Sequence, residues 1–230
     1  MPLTNRSTEL ELIDLGPEFY TPAEYQDCLK KLFTVNQWLG IFRDTKSRLK
    51  QLAPHSLLEV GCGGGLFLLN LAKYFPHLQL TGIDINPAAI AFAQSHLATW
   101  RRPTNPSVNF QLLSQPQLDY LPNSFDIVFT TLMCHHLTNE ELIRFLQQAC
   151  KTAKRAVILH DLHRHPWAIR LYRCLSPLLR NRLISHDGAI SIRRSFTHSD
   201  WAQLLSAAGI TRYTIRSRFP FRFEVVINNI

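Results

Sequence analysis

The sequence contains Glu59-Val60-Gly61-Cys62-Gly63-Gly64-Gly65, a glycine-rich stretch between two apolar segments. The segment from Leu57 to Gly61 predicts a short buried strand, and the segment from Leu66 to Phe75 predicts a helix. Glycine lets the backbone turn sharply and removes the Cβ that would keep a ligand at a distance. Ligands of open parallel sheets bind beyond the carboxyl ends of the strands, so the stretch predicts a ligand-binding loop.

The next apolar segment, Leu78 to Asp84, predicts a second strand that continues as Gly82-Ile83-Asp84-Ile85-Asn86. Asp84 then lies at the same edge of the sheet as the glycine-rich loop. Its carboxylate is suited to accept hydrogen bonds from both hydroxyl groups of a ribose. Asn86 and Pro87 predict the start of a helix that ends near Trp100.

Two other nucleotide sites fit this loop poorly. The dinucleotide fingerprint, aligned on Gly61 and Gly63, requires a small residue at position 66, where this chain has Leu66. A P-loop requires a Gly-Lys-Ser/Thr sequence, which is absent after Gly65. The loop therefore favours a ribose-containing cofactor other than a nicotinamide dinucleotide or a nucleoside triphosphate.

Strand and helix patterns alternate through the middle of the chain. Thr138 and Glu141 form a capping box that predicts the start of a helix ending near Ala153. This alternation predicts a parallel sheet with helices on both faces. Further strands are predicted over 108–113, 125–131 and 156–162.

The C-terminal part departs from this alternation. Thr197 and Asp200 predict the start of a helix that ends at Gly209. Two strands follow, over 213–218 and 222–227, and they are too close in sequence to be parallel. The predicted fold class is α/β, a Rossmann-like, mostly parallel seven-stranded sheet with a C-terminal antiparallel hairpin and helices on both faces. This layout resembles Rossmann-like methyltransferases rather than dehydrogenases.

Helical segments flank the sheet, and we expect residues 1–230 to form a single domain. Residues 1–53 predict an N-terminal helical cap, in which Thr21 is the N-cap and Glu24 completes a capping box. Residues 164–196 predict an inserted helical lid.

The predicted lid carries an apolar stripe between arginines. Ser176-Pro177 predicts a break between two helices, and His186-Asp187-Gly188 predicts a polar turn. The stripe fits either a cover for the core or a surface for a hydrophobic substrate or membrane. It consists of Trp167, Leu171, Leu175, Leu178 and Leu179.

The formal net charge is +8, and many of the basic residues lie between Arg155 and Arg222. Such a basic half fits RNA, an anionic membrane surface, an acidic substrate or simply a solvated face. The five cysteines include no C-x-x-C pair, which indicates reduced thiols. No apolar run approaches the roughly 18 residues of a membrane span, and the polar start lacks a signal-peptide core, so we expect a cytoplasmic protein.

Residues 57–162 resemble the type 11 family of small-molecule methyltransferases, which implies S-adenosylmethionine as the cofactor. The resemblance implies that the loop glycines line the methionine and ribose, that Asp84 binds the ribose and that Ile85 covers the adenine. The family's usual acidic partner of the adenine amino group is replaced by Ser114, beside Gln115. The implied cofactor set within the core is Glu59, Gly61, Cys62, Gly63, Gly65, Asp84, Ile85, Ser114, Gln115 and Thr131.

The flanks resemble a narrower group, bacterial methyltransferases associated with phenolic lipids and polyketide-derived phenols or quinones. The resemblance rests on 36–40 with Arg43, on 186–188 with 191–196, and on 219–222. It implies that three residues of the N-terminal cap close over the cofactor, with a cation near its carboxylate. These residues are Asn36, Trp38 and Arg43.

Histidines follow the predicted strands at the edge that carries the cofactor. His135 and His136 are candidates for the base that removes a proton from a phenol, or for residues that shape the cofactor pocket. His186 is a third candidate base, and Asp161 and His163 are candidates for contact with the acceptor. The histidine clusters lack tight ligand spacing, so the sequence predicts no metal site.

The predicted function is methyl transfer from S-adenosylmethionine to a small, hydrophobic, phenol- or quinol-like acceptor, on oxygen or carbon. A lipid-like acceptor and peripheral contact with a membrane are compatible with the lid. A nucleic-acid substrate is disfavoured because no Asn/Asp-Pro-Pro-aromatic motif is present. RNA methylation and non-catalytic cofactor binding remain the alternatives. The sequence does not define the oligomeric state.

Overall fold

The strands form where the apolar segments of the sequence predict them. The computed structural model describes residues 3–100, 107–115 and 117–228, and these ranges contain one sheet of seven strands. The strands are β1 (Ser56–Val60), β2 (Gln79–Asp84), β3 (Val108–Leu112), β4 (Phe125–Thr131), β5 (Ala153–Leu162), β6 (Tyr213–Arg218) and β7 (Arg222–Asn228).

The order across the sheet is β3-β2-β1-β4-β5-β7-β6. Strands β1 to β5 run parallel, and β7 is antiparallel to both of its neighbours, β5 and β6. The chain order reverses between β1 and β4, which opens a crevice at the carboxyl ends of these two strands. The predicted fold class is confirmed.

Helices surround this sheet, and each of the three predicted capping boxes begins one of them. The α-helices are α1 (Leu12–Leu15), α2 (Pro22–Trp38), α3 (Ile41–Leu52), α4 (Leu66–Ala72), α5 (Pro87–Thr99), α6 (Asn139–Thr152), α7 (Pro166–Leu175), α8 (Arg182–Arg194) and α9 (His198–Ala207). Short 3₁₀-helices span Pro17–Phe19, Cys134–His136 and Ser176–Leu179.

Both faces of the sheet are buried. Leu58 on β1 packs with Trp201 of α9 on one face, and the preceding Leu57 packs with Ile41 of α3 on the other. Successive strand residues point to opposite faces, so a strand covered on both sides needs apolar residues at nearly every position. This explains why the central strands lack a polar alternation.

The predicted polar turn at His186-Asp187-Gly188 is wrong, because all three residues lie inside α8. Asn181 caps this helix by accepting a hydrogen bond from the N–H of Ile184 at 3.0 Å. Glycine usually weakens a helix, but a Cβ at position 188 would overlap the ring of Tyr172. Packing against α7 therefore explains a glycine that the sequence pattern assigns to a turn.

Four of the five stripe residues face solvent and do not cover the core, whereas Leu179 packs against a buried cluster. Trp167, Leu171 and Leu175 are 59%, 45% and 50% exposed. The opposite face of α7 packs on α8, where the hydroxyl of Tyr172 donates to the carbonyl of Ile184. In the described ranges, no helix has the length and apolar character needed to cross a bilayer.

Candidate active site

The glycine-rich loop turns sharply between β1 and α4. Gly61 and Gly65 have φ angles of 71° and 68°, which residues with a side chain rarely adopt. A Cβ on Gly61 would lie 2.6 Å from Cγ of Met133, and one on Gly65 would overlap the ring of Phe110. The N–H of Gly61 donates to the carbonyl of Ile83 at 2.9 Å, which joins the loop to β2.

Asp84, the last residue of β2, bonds directly to this loop. Its Oδ2 accepts from the N–H of Gly63 at 2.8 Å, and its Oδ1 accepts from the N–H of Asn86 at 2.8 Å. Burial raises the pKa of Asp84, and the two N–H groups and the nearby His136 oppose this rise. Each carboxylate oxygen has a second lone pair, so the group is oriented and can accept from two further donors.

Two buried polar side chains lie at the ends of neighbouring strands. Glu59 on β1 is 2% exposed and Thr131 on β4 is 9% exposed. Within the described residues, neither Oε2 of Glu59 nor Oγ1 of Thr131 has a hydrogen-bond partner. Burial and, secondly, the charge of Asp84 raise the pKa of Glu59 well above its usual range. An unpaired buried carboxyl is costly, and a hydrogen-bonding ligand group placed against it would offset this cost.

The residues expected around the adenine reach the same edge. Ile85 follows Asp84 directly and is 61% exposed. The N–H of Leu113 donates to the carbonyl of Asp84 at 2.9 Å, which places Ser114 and Gln115 next to this position. Both side chains are exposed in a bend after β3.

Helix α2 lies over the glycine-rich loop. Leu29 would contact a Cβ on Gly63 at 3.5 Å. Tyr20, just before α2, accepts a hydrogen bond from Nδ2 of Asn86 at 3.4 Å, and its ring stacks on that of Tyr25 at 5.1 Å. The N-terminal segment therefore covers the loop mainly with apolar and aromatic side chains.

The three cap residues named from the sequence lie further along, where α2 ends and α3 begins. Trp38 is 74% exposed, and the side chain of Arg43 is 81% exposed and 3.5 Å from Asp44. Asn36 has a buried Oδ1 without a hydrogen-bond partner in the described ranges. The structure brings Leu29 and not Arg43 against the loop, so cofactor contact by Asn36, Trp38 and Arg43 stays a prediction.

His135 forms a pair with Asp161. The imidazole is 3% exposed, and its Nδ1 bonds to Oδ1 of Asp161 on β5 at 2.7 Å. The N–H groups of His135 and Leu162 also donate to this carboxylate, at 3.2 and 2.7 Å. Asp161 is fully buried and orients His135. Contact of Asp161 or His163 with the acceptor stays a prediction.

His136 forms a second pair, with a residue of the N-terminal segment. Its Nδ1 bonds to Oδ1 of Asp14 at 2.8 Å, and its ring lies 4.3 Å from that of His135. Burial by itself raises the pKa of Asp14, but His136 and Arg194 together lower it to about 2. Asp14 is therefore ionised at neutral pH and holds His136 in a fixed orientation.

Glu11 lies opposite the free nitrogens of both histidines. Its Oε1 is 3.6 Å from Nε2 of His135, and its Oε2 is 4.0 Å from Nε2 of His136. Burial raises the pKa of Glu11 to about 7, although the nearby His136 lowers it. Two imidazoles and a carboxyl group therefore meet at one point beside the end of β4.

The other histidines have different surroundings. His186 on α8 is exposed, and its Nδ1 bonds to Asp187 at 2.8 Å. His160 is fully buried against Thr45, and burial and Arg222 lower its pKa to about 3, so it is a neutral core residue. Burial also lowers the pKa of His163, whose ring packs on that of Phe223.

Sequence patterns missed Glu11 and Asp14 as residues of this site, and missed the role of Asp161. Glu11 and Asp14 precede the first predicted helix and are more than 120 residues before His136. The nearest signal is alternation along β5, which turns Asp161 away from His160 but does not identify His135 as its partner.

Comparisons with known proteins agree with this geometry. Residues 57–156 match a family described as a methyltransferase domain. The chain is 26% identical over 113 residues to the malonyl-[acyl-carrier protein] O-methyltransferase of Legionella pneumophila, covering 49% of this chain and 38% of that one. It is 26% identical to the ubiquinone biosynthesis O-methyltransferase of Pseudomonas syringae, covering 77% of each.

The fold also matches solved structures. A crystal structure of a SAM-dependent methyltransferase from Aquifex aeolicus superposes with a TM-score of 0.66 at 18% identity, covering 92% of this chain and all of that one. The chain spans less than half of the length of the Legionella relative. Residues 57–156 match a methyltransferase domain, which agrees with the predicted class, the S-adenosylmethionine-dependent methyltransferases.

Proposed function

We propose that the chain transfers a methyl group from S-adenosylmethionine to a small phenol- or quinol-like acceptor, on oxygen or carbon. The observation that carries this proposal is Asp84, a half-buried carboxylate oriented by the loop N–H of Gly63 and by the N–H of Asn86. No other carboxylate in the described ranges bonds to the N–H groups of this loop.

The side chains fit this cofactor. Asp84 retains acceptor capacity for two ribose hydroxyls, and Ile85 presents an exposed apolar side chain for an adenine face. Glu59 has a buried Oε2 without a partner in the described ranges, which suits the ammonium group of the methionine part. Cys62 and Thr131 complete the proposed wall on the strand side.

The cap residues are proposed to close the other side. The buried, unpartnered Oδ1 of Asn36 supports a role in binding. Arg43 has an exposed guanidinium that is suited to the cofactor carboxylate, and Trp38 is free to cover the entrance. We propose that these three residues move onto the cofactor when it binds.

Methyl transfer requires that the acceptor is aligned with the methyl group and that the acceptor loses a proton. When bound, S-adenosylmethionine supplies an electrophilic methyl group for an in-line displacement, in which positioning accounts for much of the acceleration. The acceptor oxygen or carbon would form the new bond to the methyl carbon while the sulfur–methyl bond breaks, S-adenosylhomocysteine would leave, and the acceptor would give up one proton. His135 and His136, each oriented through Nδ1 by a carboxylate, are proposed to assist this loss, with His186 as a third candidate.

A hydrophobic acceptor is supported by the exposed stripe of α7, which lies next to α8. Exposed apolar patches of this kind mark surfaces for lipids, partners or apolar ligands. Among the relatives, the Pseudomonas protein is named for ubiquinone biosynthesis, which agrees with a quinol-like acceptor. We propose that a lipid-like acceptor approaches along this stripe, with or without peripheral contact of α7 with a membrane.

The experiment that tests this function is product analysis. The chain is incubated with isotopically labelled S-adenosylmethionine and a panel of phenols, quinols and RNA, and the products are identified by mass spectrometry. Labelled phenol or quinol is expected. Label in RNA alone would overturn the small-molecule acceptor, and binding of the cofactor without any product would favour a non-catalytic protein.

Leu175→Glu is expected to raise KM for long-chain acceptors more than for short, water-soluble ones. The substitution places a charge in the middle of the apolar stripe and leaves the cofactor loop untouched. Steady-state kinetics with acceptors of increasing chain length measure the difference. Leu121→Glu, on an exposed leucine outside the lid, is the matched control. An equal rise in KM for all chain lengths would contradict the proposed route.

Glu59→Gln is expected to remove proton release on cofactor binding. Burial raises the pKa of Glu59 above its usual range, and an ammonium group placed against it would lower this pKa again, so that cofactor binding would displace a proton. Titration calorimetry in buffers of different ionisation enthalpy counts the proton. The surface variant Glu141→Gln should release the proton as the wild type does; release that persists in Glu59→Gln would contradict this role.

A further inference from the structure

The cluster of Glu11, His135 and His136 has the composition and geometry of a metal site. Its three ligand atoms lie within 4.8 Å of one another. We propose that this cluster binds one divalent first-row transition-metal ion, through Nε2 of each imidazole and the carboxylate of Glu11. Two imidazoles and one carboxylate suit Zn²⁺ and its neighbours in the series rather than Mg²⁺ or Ca²⁺.

The proton positions on the two histidines favour a cation at this point. Asp161 and Asp14 accept from Nδ1 of His135 and His136, at 2.7 and 2.8 Å. A neutral imidazole that donates from Nδ1 has its lone pair on Nε2. Both lone pairs therefore face the carboxyl group of Glu11. Carboxylates that orient metal-bound imidazoles through the other ring nitrogen are typical of protein metal sites.

Glu11 supplies a second, independent observation. Its side chain is 4% exposed, and its Oε1 has no hydrogen-bond partner in the described ranges. The distance of 3.6 Å from this oxygen to Nε2 of His135 is too long for a hydrogen bond. A buried carboxylate oxygen without a donor costs free energy, which a coordinated cation would offset.

The spacing is close to that of coordinated ligands. Metal–ligand bonds of about 2.1 Å in a tetrahedral site separate neighbouring ligand atoms by about 3.4 Å. The observed separations from Glu11 to the two imidazoles are 3.6 and 4.0 Å. Small inward rotations of the side chains would close the shell, and one or more positions would remain for water or an acceptor oxygen.

The nearby arginines do not occupy this position. Arg194 donates from Nε and Nη2 to the carbonyls of His135 and His136, at 3.1 and 2.7 Å, and pairs through Nη1 with Asp14. Arg6 donates to the carbonyl of Leu137 at 2.9 Å. Both guanidinium groups therefore hold the backbone of the two histidines from outside the cluster and leave their Nε2 atoms free.

A metal ion here would join the N-terminal segment to the end of β4. Glu11 precedes α1, and Asp187 of α8 holds the start of α1 by accepting from the N–H of Leu12 at 2.8 Å. Coordination would thus fix the segment beside the cofactor loop. If the proposed function holds, an ion held by these residues would lower the pKa of an acceptor hydroxyl, and the two histidines would then assist proton loss as ligands and not as bases.

Metal titration of the protein, without a histidine tag and after removal of metals by a chelator, tests the proposal. Titration calorimetry with Zn²⁺ is expected to show one ion per chain, and Co²⁺ is expected to give visible absorption bands of a low-coordinate site. Glu11→Gln and His136→Gln should each weaken Zn²⁺ binding by at least about 100-fold, because loss of supporting residues alone costs 10–100-fold. His96→Gln, which changes a histidine of α5, should bind as the wild type does.

Circular dichroism shows whether each variant is folded, and cofactor binding shows whether the cofactor site is intact. Folded wild-type protein that binds no Zn²⁺, or a Glu11→Gln variant that binds it as tightly as the wild type, would overturn the proposal. Cofactor affinity of the metal-free protein is measured in parallel. Because the proposed cofactor site shares no residue with the cluster, intact cofactor binding without Zn²⁺ binding would overturn the metal site alone.

Discussion

Replacement of His135 by glutamine is expected to lower kcat by about 10²–10⁴-fold, with a much smaller effect on KM for the acceptor. The imidazole is buried and oriented by Asp161 at 2.7 Å, and its Nε2, which lies 3.6 Å from Glu11, is the nitrogen proposed to take the proton of the acceptor. Glutamine keeps a polar side chain of similar reach but cannot replace the imidazole. The measurement is steady-state methylation of the acceptor identified by mass spectrometry.

The controls separate chemistry from folding. His96→Gln changes a histidine whose Nδ1 lies 3.0 Å from the carbonyl of Phe92, away from the two histidine pairs, and should leave kcat unchanged. Thermal unfolding of each variant shows whether the fold is retained. His136→Gln and His186→Gln are measured alongside. If all three histidine variants kept the wild-type kcat, no histidine of this set would assist proton loss.

Asp161→Asn distinguishes orientation from direct participation. The N–H groups of His135 and Leu162 donate to different oxygens of Asp161, so asparagine can keep only one of these two bonds, and it loses the charge that holds the Nδ1 proton. The variant should lower kcat in the same direction as His135→Gln, and the double variant should lose little more than His135→Gln alone. Additive losses would show that Asp161 acts independently of His135.

The sheet was predictable because each of its strands carries its own signal. Apolar segments of strand length alternate with capped helices, and Pro220 lies between two segments that are too close for a parallel crossover. The glycine-rich loop and Asp84 were equally predictable, since both follow strands whose carboxyl ends share an edge. These features depend on residues that are neighbours in the chain or on adjacent strands.

The histidine cluster was only half predictable for the opposite reason. His135 and His136 follow β4 and are expected at the edge, but their partners come from the N-terminal segment and from β5. Glu11 contacts residues more than 120 positions away, and no periodicity links it to them. A contact between segments of such separation depends on how α1 packs against α8, which local patterns do not specify.

The lid shows a different kind of failure. Helical periodicity correctly predicts that Leu171 and Leu175 share a face, but a pattern of this kind does not tell which side of the helix meets the protein. Tyr172 decides the question, because its hydroxyl bonds to Ile184 and turns the leucines outward. Gly188 has to be a glycine because Tyr172 leaves no room for a Cβ at this position. The same contact between Tyr172 and Gly188 orients α7 and explains why the glycine did not mark a turn.

Asp84→Ala is expected to weaken binding of S-adenosylmethionine or its demethylated product by about 1.5–3 kcal/mol, roughly 10- to 150-fold, the range for a lost charge-assisted hydrogen bond. The carboxylate bridges Gly63 and Asn86 and would accept from the ribose hydroxyls. Asp84→Asn keeps one oxygen and should lose less. Titration calorimetry measures both variants.

Asp119→Ala, which removes an exposed carboxylate outside the loop, is the matched control and should bind the cofactor as the wild type does. NAD serves as the competing ligand, because Leu66 occupies the position where a dinucleotide loop requires a small residue. Since Asp84 also orders the loop, Asp84→Ala would lose affinity partly through Gly63, and Asp84→Asn separates the two contributions. Full affinity in Asp84→Ala, or preference for NAD over S-adenosylmethionine, would overturn the assignment of this carboxylate.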